Sequence, residues 1–347
     1  MSTVKPQKPW VASRSDRVRD ASIFLGSVVF SYLFVGFTPM NGKLAYFSVF
    51  FITLTAANGI SGFVRYGLAS AKDGALKTLV GFGAVVTIIP IASILATVIK
   101  NGYKGIQLNL FSQDMSLATP TDPLTNGGIL HAISGTLILV AVALIMSVPL
   151  GILTALYLTE LKGRGSTLIR FLVQAMSGIP SIVAGLFIYS ALITGTGRGF
   201  SAFMGALALT ILMIPTVART SEEVLKLIPS DLREAGLALG ATQWRTVAMV
   251  VIPAAKSGLI TAAILGVARI AGETAPLLFT TGGADALNTN PVDGNIGSVP
   301  FYVWKALIDG SPNAIARAWA GIFLLMIIVL SLFILARKIG SPKKIRS

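Results

Sequence analysis

Long apolar runs constrain this chain more than anything else in it. Eight of them, at 21–38, 44–64, 76–99, 131–158, 168–194, 200–217, 257–280 and 317–336, are candidate membrane helices, because crossing the hydrocarbon core takes about 20 apolar residues. The run 44–64 is the least regular, being interrupted by Asn58 and two glycines. Composition agrees: 54% of residues are hydrophobic and 12% charged, where a soluble domain carries about 25% charged residues. The expected class is an all-α integral membrane protein, multi-pass in the cell membrane.

The formal net charge of +14 would point a soluble protein toward nucleic acid. Here the basic residues lie in loops between apolar runs, which assigns them to the anionic lipid of the cytoplasmic leaflet and to no nucleic acid. With the N-terminus placed inside, 21 of the 28 Lys and Arg fall on the cytoplasmic side and 6 outside, while Arg269 lies within a span. The positive-inside rule then puts both termini in the cytoplasm, and an even span count agrees. Residues 1–20 read as a retained cytoplasmic tail, too long and polar for a signal-peptide n-region. Residues 341–347 read as a basic cytoplasmic tail. Two large external loops follow, roughly 100–130 and 281–316, whose Pro and Gly content predicts irregular or re-entrant structure. Tyr302, Trp304 and Trp319 suit an interfacial aromatic belt.

Several patterns that could signal other chemistry fail on inspection. Cysteine is absent, which removes disulfides and thiolate sites. Gly195, Gly197 and Gly199 form G-x-G-x-G without a preceding strand, so a tight turn is expected rather than a dinucleotide loop. Gly36 and Gly42 are separated by five residues, and Leu44 follows Lys43; a phosphate-cradling P-loop needs four and then Ser or Thr. Gly163 to Ser166 is a short basic turn. His131 is the lone histidine and is expected to be structural, since no His, Asp and Glu cluster has metal-ligand spacing. The expectation is a non-enzyme that binds no cofactor or metal directly.

The internal loop from Ala218 to Lys256 carries the most readable local signals. Asp231 followed by Glu234 fits an N-cap with its reciprocal acid. Leu232, Ala235, Gly236 and Leu239 recur on one helical face. Gly240 fits the position just past a helix end, and Thr242 can cap a second helix running to Pro253. Ala235, Gly236 and Ala238 are small enough for close approach by another protein. A docking element and a helix lying on the bilayer both remain open, although the first helix has little of the bulk that interfacial helices favour.

Glu234-Ala-Gly-x-x-x-Gly240 followed by Val250-Val-Ile-Pro253 resembles the EAA loop of ABC-importer permeases. Gly236 stands at a family alanine, and Val250 and Ile252 are aliphatic replacements. The resemblance implies a type I, MetI-like core of six spans, whose coupling helix at Asp231, Glu234, Ala235, Gly236 and Gly240 sits on a separate ATPase subunit that binds ATP and Mg. Four further blocks, Arg269 to Leu277, Gly178 to Gly185, Ile214 to Thr220 and Gly127 to Thr136, are similar to the A-type permease subunit of phosphate importers. The companion C-type subunit differs where this chain has Ala275-Pro276. The resemblance covers about 70–340. It implies a two-span addition at 21–70, a permease core at 71–340 and inorganic phosphate as cargo. The implied partners are a C-type permease, an ATPase dimer and an extracytoplasmic phosphate-binding protein. Another oxyanion, molybdate or sulfate, is the alternative cargo. An ion-coupled secondary transporter is the alternative class and would usually carry internal repeats, none of which is evident.

The run 257–280 holds two charges, Arg269 and Glu273. On a continuous helix Gly258, Ala262, Gly266, Arg269, Glu273 and Pro276 share an arc of about 80°, with Ile260, Ile264, Val267 and Ala271 roughly opposite. Small residues permit close packing, and charges within the membrane face a bundle interior or a wet cavity. Arg269 and Glu273, four apart, can pair. The pair then either holds helices together or lines the path, where the resemblance favours an Arg269 that meets the oxyanion and a Glu273 that orients it. Arg219 is a second path candidate or a positive-inside flank. Pro180 and Pro276 are expected kinks.

Overall fold

The computed structural model describes residues 13–340; residues 1–12 of the expected N-terminal tail and the basic tail 341–347 lie outside the described residues. Among the described residues there is no strand, only an isolated bridge between Gly282 and Ile296. The chain divides into two compact units, one up to Ala96 and one from Thr97 onward.

The first unit contains α1 (Arg14–Phe37), α2 (Lys43–Tyr66) and most of α3 (Leu68–Gly102). Ser13 caps α1 by accepting the Asp16 amide at 3.2 Å, which satisfies one of the amides a helix start leaves open. Gly67, at φ 79°, ends α2 and lets α3 begin one residue later. The α2–α3 hairpin closes on glycine: a side chain at Gly62 would strike the Ser70 carbonyl, and one at Gly74 would come within 2.7 Å of the Asn58 carbonyl. Asn58, the irregular residue of its span, donates to the Thr78 hydroxyl at 2.9 Å. The contact boundary thus falls near 96, where sequence placed a change at 70, because α3 runs unbroken for 35 residues with Pro90 inside it.

The second unit begins with short 3₁₀ turns and loops up to Ile129, as irregular as expected. There follow α4 (Leu130–Leu156), α5 (Ser166–Ser177), α6 (Ser181–Ile188), α7 (Ala202–Lys226), α8 (Ser230–Ala238), α9 (Gln243–Thr246), α10 (Ile252–Ile270), α11 (Ala275–Leu278), α12 (Val299–Asp309) and α13 (Pro312–Gly340). Single π-helical turns extend α4 over Tyr157–Leu161 and α6 over Tyr189–Thr194, and a third, Val247–Val251, joins α9 to α10. Among the described residues seven helices are long and apolar enough to cross a membrane; α5 and α6, bent by 103° at their junction, make an eighth span if taken together. The span 168–194, where Pro180 was the expected kink, is broken at Gly178-Ile179-Pro180. Proline lacks the amide that would continue the ladder and disfavours helical geometry in the residue before it.

α7 is the central element of this unit and the most buried of its membrane-length helices. Ala206, Leu209, Met213 and Val217 of α7 meet Leu139 and Ala143 of α4 and Val267 and Ile270 of α10. A second cluster toward one end joins Leu110, Met115 and Ile129 to Tyr302 and Leu324. Tyr302 is thus buried, edge-to-face with His131 at 5.9 Å, and not part of an aromatic belt. The loop 281–316 is also more ordered than expected, since it contains α12. Arg317, which the charge count places on the external side, is 2% exposed. Its Nη2 donates to the carbonyls of Asp122, Pro123 and Asn126 at 3.3, 2.9 and 2.6 Å, so it pins the preceding loop.

Candidate functional site

The small residues of α10 pack on α7. A side chain at Gly258 would collide with Val224, and one at Gly266 would come within 2.7 Å of the Met213 Cε and 2.9 Å of Val217. These pairings run in opposite directions along the two helices, so α7 and α10 are antiparallel. Ala262 and Gly266 are buried there while Arg269, on the same face, is exposed.

The helix stops at Ile270. The Ala271 amide makes a last helical bond to Val267, the Glu273 amide turns back to Ile270 at 3.1 Å, and α11 starts after Thr274. The span 257–280 is therefore two elements, and the shared face holds only as far as Arg269. Gly272 favours the break, and Pro276 has no amide to offer the Gly272 carbonyl. Pro276 lies in the first turn of α11 and kinks no longer helix. The expected Arg269–Glu273 pair does not form: among the described residues neither side chain has an ion-pair partner within 4.0 Å. Glu273 is half-buried.

The two proline sites do come together. Pro180 caps α6 at the bend. A side chain on Gly185 of α6 would come within 2.6 Å of the Pro276 Cα, so the broken span α5–α6 packs directly on the short helix that follows Glu273. Arg219 stays apart. It is exposed on α7, about 140° around the helix from the Met213, Val217 and Val224 face that meets α10. Along the bundle it lies about 10 Å from the level of Arg269 at 1.5 Å per residue.

The internal loop forms the expected two-helix corner with changed details. α8 begins two residues early, capped by Pro229 without a side-chain bond. Asp231 is thus no N-cap and makes no reciprocal pair with Glu234. It lies in the first turn, where its charge faces the positive end of the helix dipole. Gly240 turns the chain at φ 80°. Its amide bonds to the Leu237 carbonyl at 2.9 Å and that of Ala241 to Gly236 at 3.3 Å, the two bonds of a Schellman termination. The Thr242 hydroxyl accepts the Arg245 amide at 3.4 Å. The helix it caps does not end at Pro253 but continues through the π turn into the span. Gly236 faces inward, where a side chain would come within 2.7 Å of Thr246, so its smallness serves the packing of the two helices on each other. Asp231, Glu234, Ala235 and Gly240 are exposed. So are Leu239 (89%) and Trp244 (66%), which give the corner an apolar surface.

One constellation escaped the sequence reading. Arg233 of α8 holds Glu160, in the π turn that ends α4, through Nε at 3.2 and 3.0 Å and Nη2 at 2.8 Å. The same guanidinium donates to the carbonyls of Ile228 at 2.6 Å and Leu225 at 2.9 Å. Gln243 donates to the Glu160 carbonyl at 2.7 Å. The Glu160 side chain is 7% exposed, and its carboxylate raises the Arg233 pKa above the ordinary arginine value. Beside it, Glu222 accepts Arg170 at 3.0 Å and Lys226 at 3.1 Å. Arg170, Lys226 and Arg233 are legible in the sequence only as cytoplasmic positive charge, and Glu160 and Glu222 carry no signal there. Among the described residues no group of His, Asp and Glu could hold a metal ion.

Comparison with known proteins assigns this helical chain to a family. The family profile described as the binding-protein-dependent transport system inner membrane component matches residues 147–341. A Mycobacterium tuberculosis (strain CDC 1551 / Oshkosh) protein named phosphate transport system permease protein PstA 1 is 36% identical over 270 residues, covering 77% of this chain and 88% of the relative. The Yersinia pestis protein named phosphate transport system permease protein PstA is 39% identical over 254 residues, covering 72% and 84%. Among solved structures, a bacterial ABC transporter for import of the acidic polysaccharide alginate superposes with a TM-score of 0.55 at 16% identity, covering 80% of this chain and 97% of that one; that likeness concerns the fold. The chain belongs to the binding-protein-dependent transport permease family and, within it, to the PstA group.

Proposed function

We infer that this chain is one of two permease subunits of an ATP-driven importer for inorganic phosphate. The observation that carries the reading is the 36–39% identity, over most of both chains, to proteins named as phosphate transport permeases. The second permease is of the C type. An ATPase dimer binds ATP and Mg, and an extracytoplasmic phosphate-binding protein delivers the anion. Both termini face the cytoplasm.

The corner from Asp231 to Gly240 docks in a cleft of the ATPase, with Leu239 and Trp244 supplying the apolar contact. Its motion enters the core by two routes. One is the Arg233–Glu160 clamp to α4; the other is the continuous helix from Gln243 to Ile270. Arg269 stands where that helix ends, and its lack of an ion-pair partner among the described residues leaves it available to an oxyanion. Glu273, past the break, tempers the field of Arg269 so that the anion is released, since conduction needs weak binding. Arg219 acts as a second cationic station along the path.

Arg269→Ala tests the site. Loss of phosphate uptake with the complex still co-purifying supports the path role. Normal uptake overturns it, and failed assembly assigns Arg269 to packing. Competition by molybdate and sulfate for labelled phosphate uptake tests the cargo.

A further inference from the structure

The N-terminal unit contains two adjoining cavities of opposite character. A polar one of about 200 Å³ is lined by Arg19, Asp20, Arg65, Asp73 and Lys77. An apolar one of about 480 Å³ is lined by Phe24, Phe47, Phe50, Phe51 and Val85. Asn58 and Lys77 line both, so the two form one continuous groove along α1, α2 and α3.

The polar end has unused charge. Arg19 is fully engaged, with Asp16 at 3.1 Å and Asp20 at 2.9 Å. Arg65 reaches Asp16 only at 3.6 Å and Lys77 reaches Asp20 only at 3.9 Å, distances too long for good hydrogen bonds. Asp73 has no ion-pair partner among the described residues. Arg19, Arg65 and Lys77 therefore face Asp20 and Asp73 across the cavity, with Asp16 paired beside it, and both signs have capacity to spare. A simple anion or cation would meet as much repulsion as attraction, whereas a group carrying both charges meets complementary partners. The apolar end follows α2 from Phe47 to Asn58, about 16 Å of helix and so about half of the ~30 Å hydrocarbon core. That is one leaflet. The charged end lies where the apolar spans give way to ionised side chains, the level of a lipid headgroup.

We propose that this unit binds a zwitterionic phospholipid with a primary amine, its phosphate on Arg65 and Lys77, its ammonium on Asp73 and Asp20, and an acyl chain along the phenylalanine groove. Snorkelling side chains at a membrane surface meet headgroups in general; here the paired signs and the leaflet-deep groove select a class of lipid.

The test uses the full chain purified in mild detergent and supplied with defined lipids, with retained lipid measured by native mass spectrometry. Phosphatidylethanolamine is expected to be retained about tenfold over phosphatidylglycerol and phosphatidylcholine, the effect of one charged hydrogen bond. The double variant Arg65→Ala, Lys77→Ala is expected to lose at least that factor. Gly81 has open space around it and lies on the groove wall, so Gly81→Leu fills the apolar end and leaves every ion pair in place. It is expected to lose phosphatidylethanolamine with helicity unchanged by circular dichroism. Equal retention of the three lipids overturns the proposal, as does retention by Gly81→Leu or displacement of the lipid by millimolar inorganic phosphate. A photo-crosslinker at Phe50 that labels another subunit of the assembled importer in place of lipid overturns it as well.

Discussion

Glu160→Gln isolates the clamp between the α8 corner and α4. The substitution keeps the size and one oxygen of the side chain but removes the charge that receives three contacts of 3.2, 3.0 and 2.8 Å from Arg233. Breaking a buried pair costs about 3–5 kcal/mol. This one falls below that range because Arg233 is 25% exposed and keeps the Leu225 and Ile228 carbonyls. The expected loss is about 2–3 kcal/mol, or about 30- to 150-fold in the population of the opened corner. Hydrogen exchange on the full chain should show amides of 230–243 exchanging faster by that factor, with α12 unchanged. Arg233→Gln should do the same, and the double variant should be little worse than either single one, since contacting residues are non-additive. Unchanged exchange, or two substitutions whose effects simply add, would refute the clamp. Phosphate uptake should fall in the single variants while the ATPase still co-purifies.

Gly236→Val drives a side chain into Thr246 and should cost about 1–3 kcal/mol, read as a lower melting temperature; Thr246→Ser, which removes the Cγ2, should restore part of it. Gly240→Ala forces a side chain to φ 80° and should cost about 1–2 kcal/mol, weakening ATPase co-purification. Arg317→Met removes the donor from three loop carbonyls and should cost about 3 kcal/mol, exposing 116–126 to protease. Asp114 is held below the ordinary carboxylate value by hydrogen bonds from the Ser116 hydroxyl and then the Leu287 amide. Its contribution is complete above the ordinary value and is lost as pH falls through the lowered one. Acid-induced loosening of the 112–118 loop, followed by exchange, should disappear in Asp114→Asn.

Sequence revealed those elements whose signals are local. The Gly240 corner, the Thr242 cap and the apolar spans each depend on residues a few positions apart, and each is present. The broken helix was missed because a wheel drawn from Gly258 to Pro276 presumes continuity. Gly272 read equally well as one more small residue on a packing face or as a breaker. Gly236 was assigned outward for a similar reason: a small residue permits close approach but does not say by whom, and Thr246 lies across a corner. The Glu160–Arg233 clamp joins positions 73 apart. No periodicity links them, and in hydropathy Glu160 looks like a solvated charge past the end of a span and Arg233 like one in a loop. Its geometry also depends on the π turn at 157–161, which redirects Glu160 by an offset that a 3.6-residue count does not contain.

The π turn at Val247–Val251 has a mechanical consequence. Its bond from the Ile252 amide to the Val247 carbonyl skips one residue, so the ladder carries a surplus residue there, like a dislocation in a crystal row. A dislocation free to glide would let the lower segment screw past the upper one a residue at a time, turning Trp244 by about 100° with each step. Pro253 blocks that glide, because the defect cannot move beyond a residue with no amide to re-register. Pinned at that point, the defect gives the helix from Gln243 to Ile270 a fixed crank angle, and a push at the corner reaches the other end of the rod as displacement, without slip.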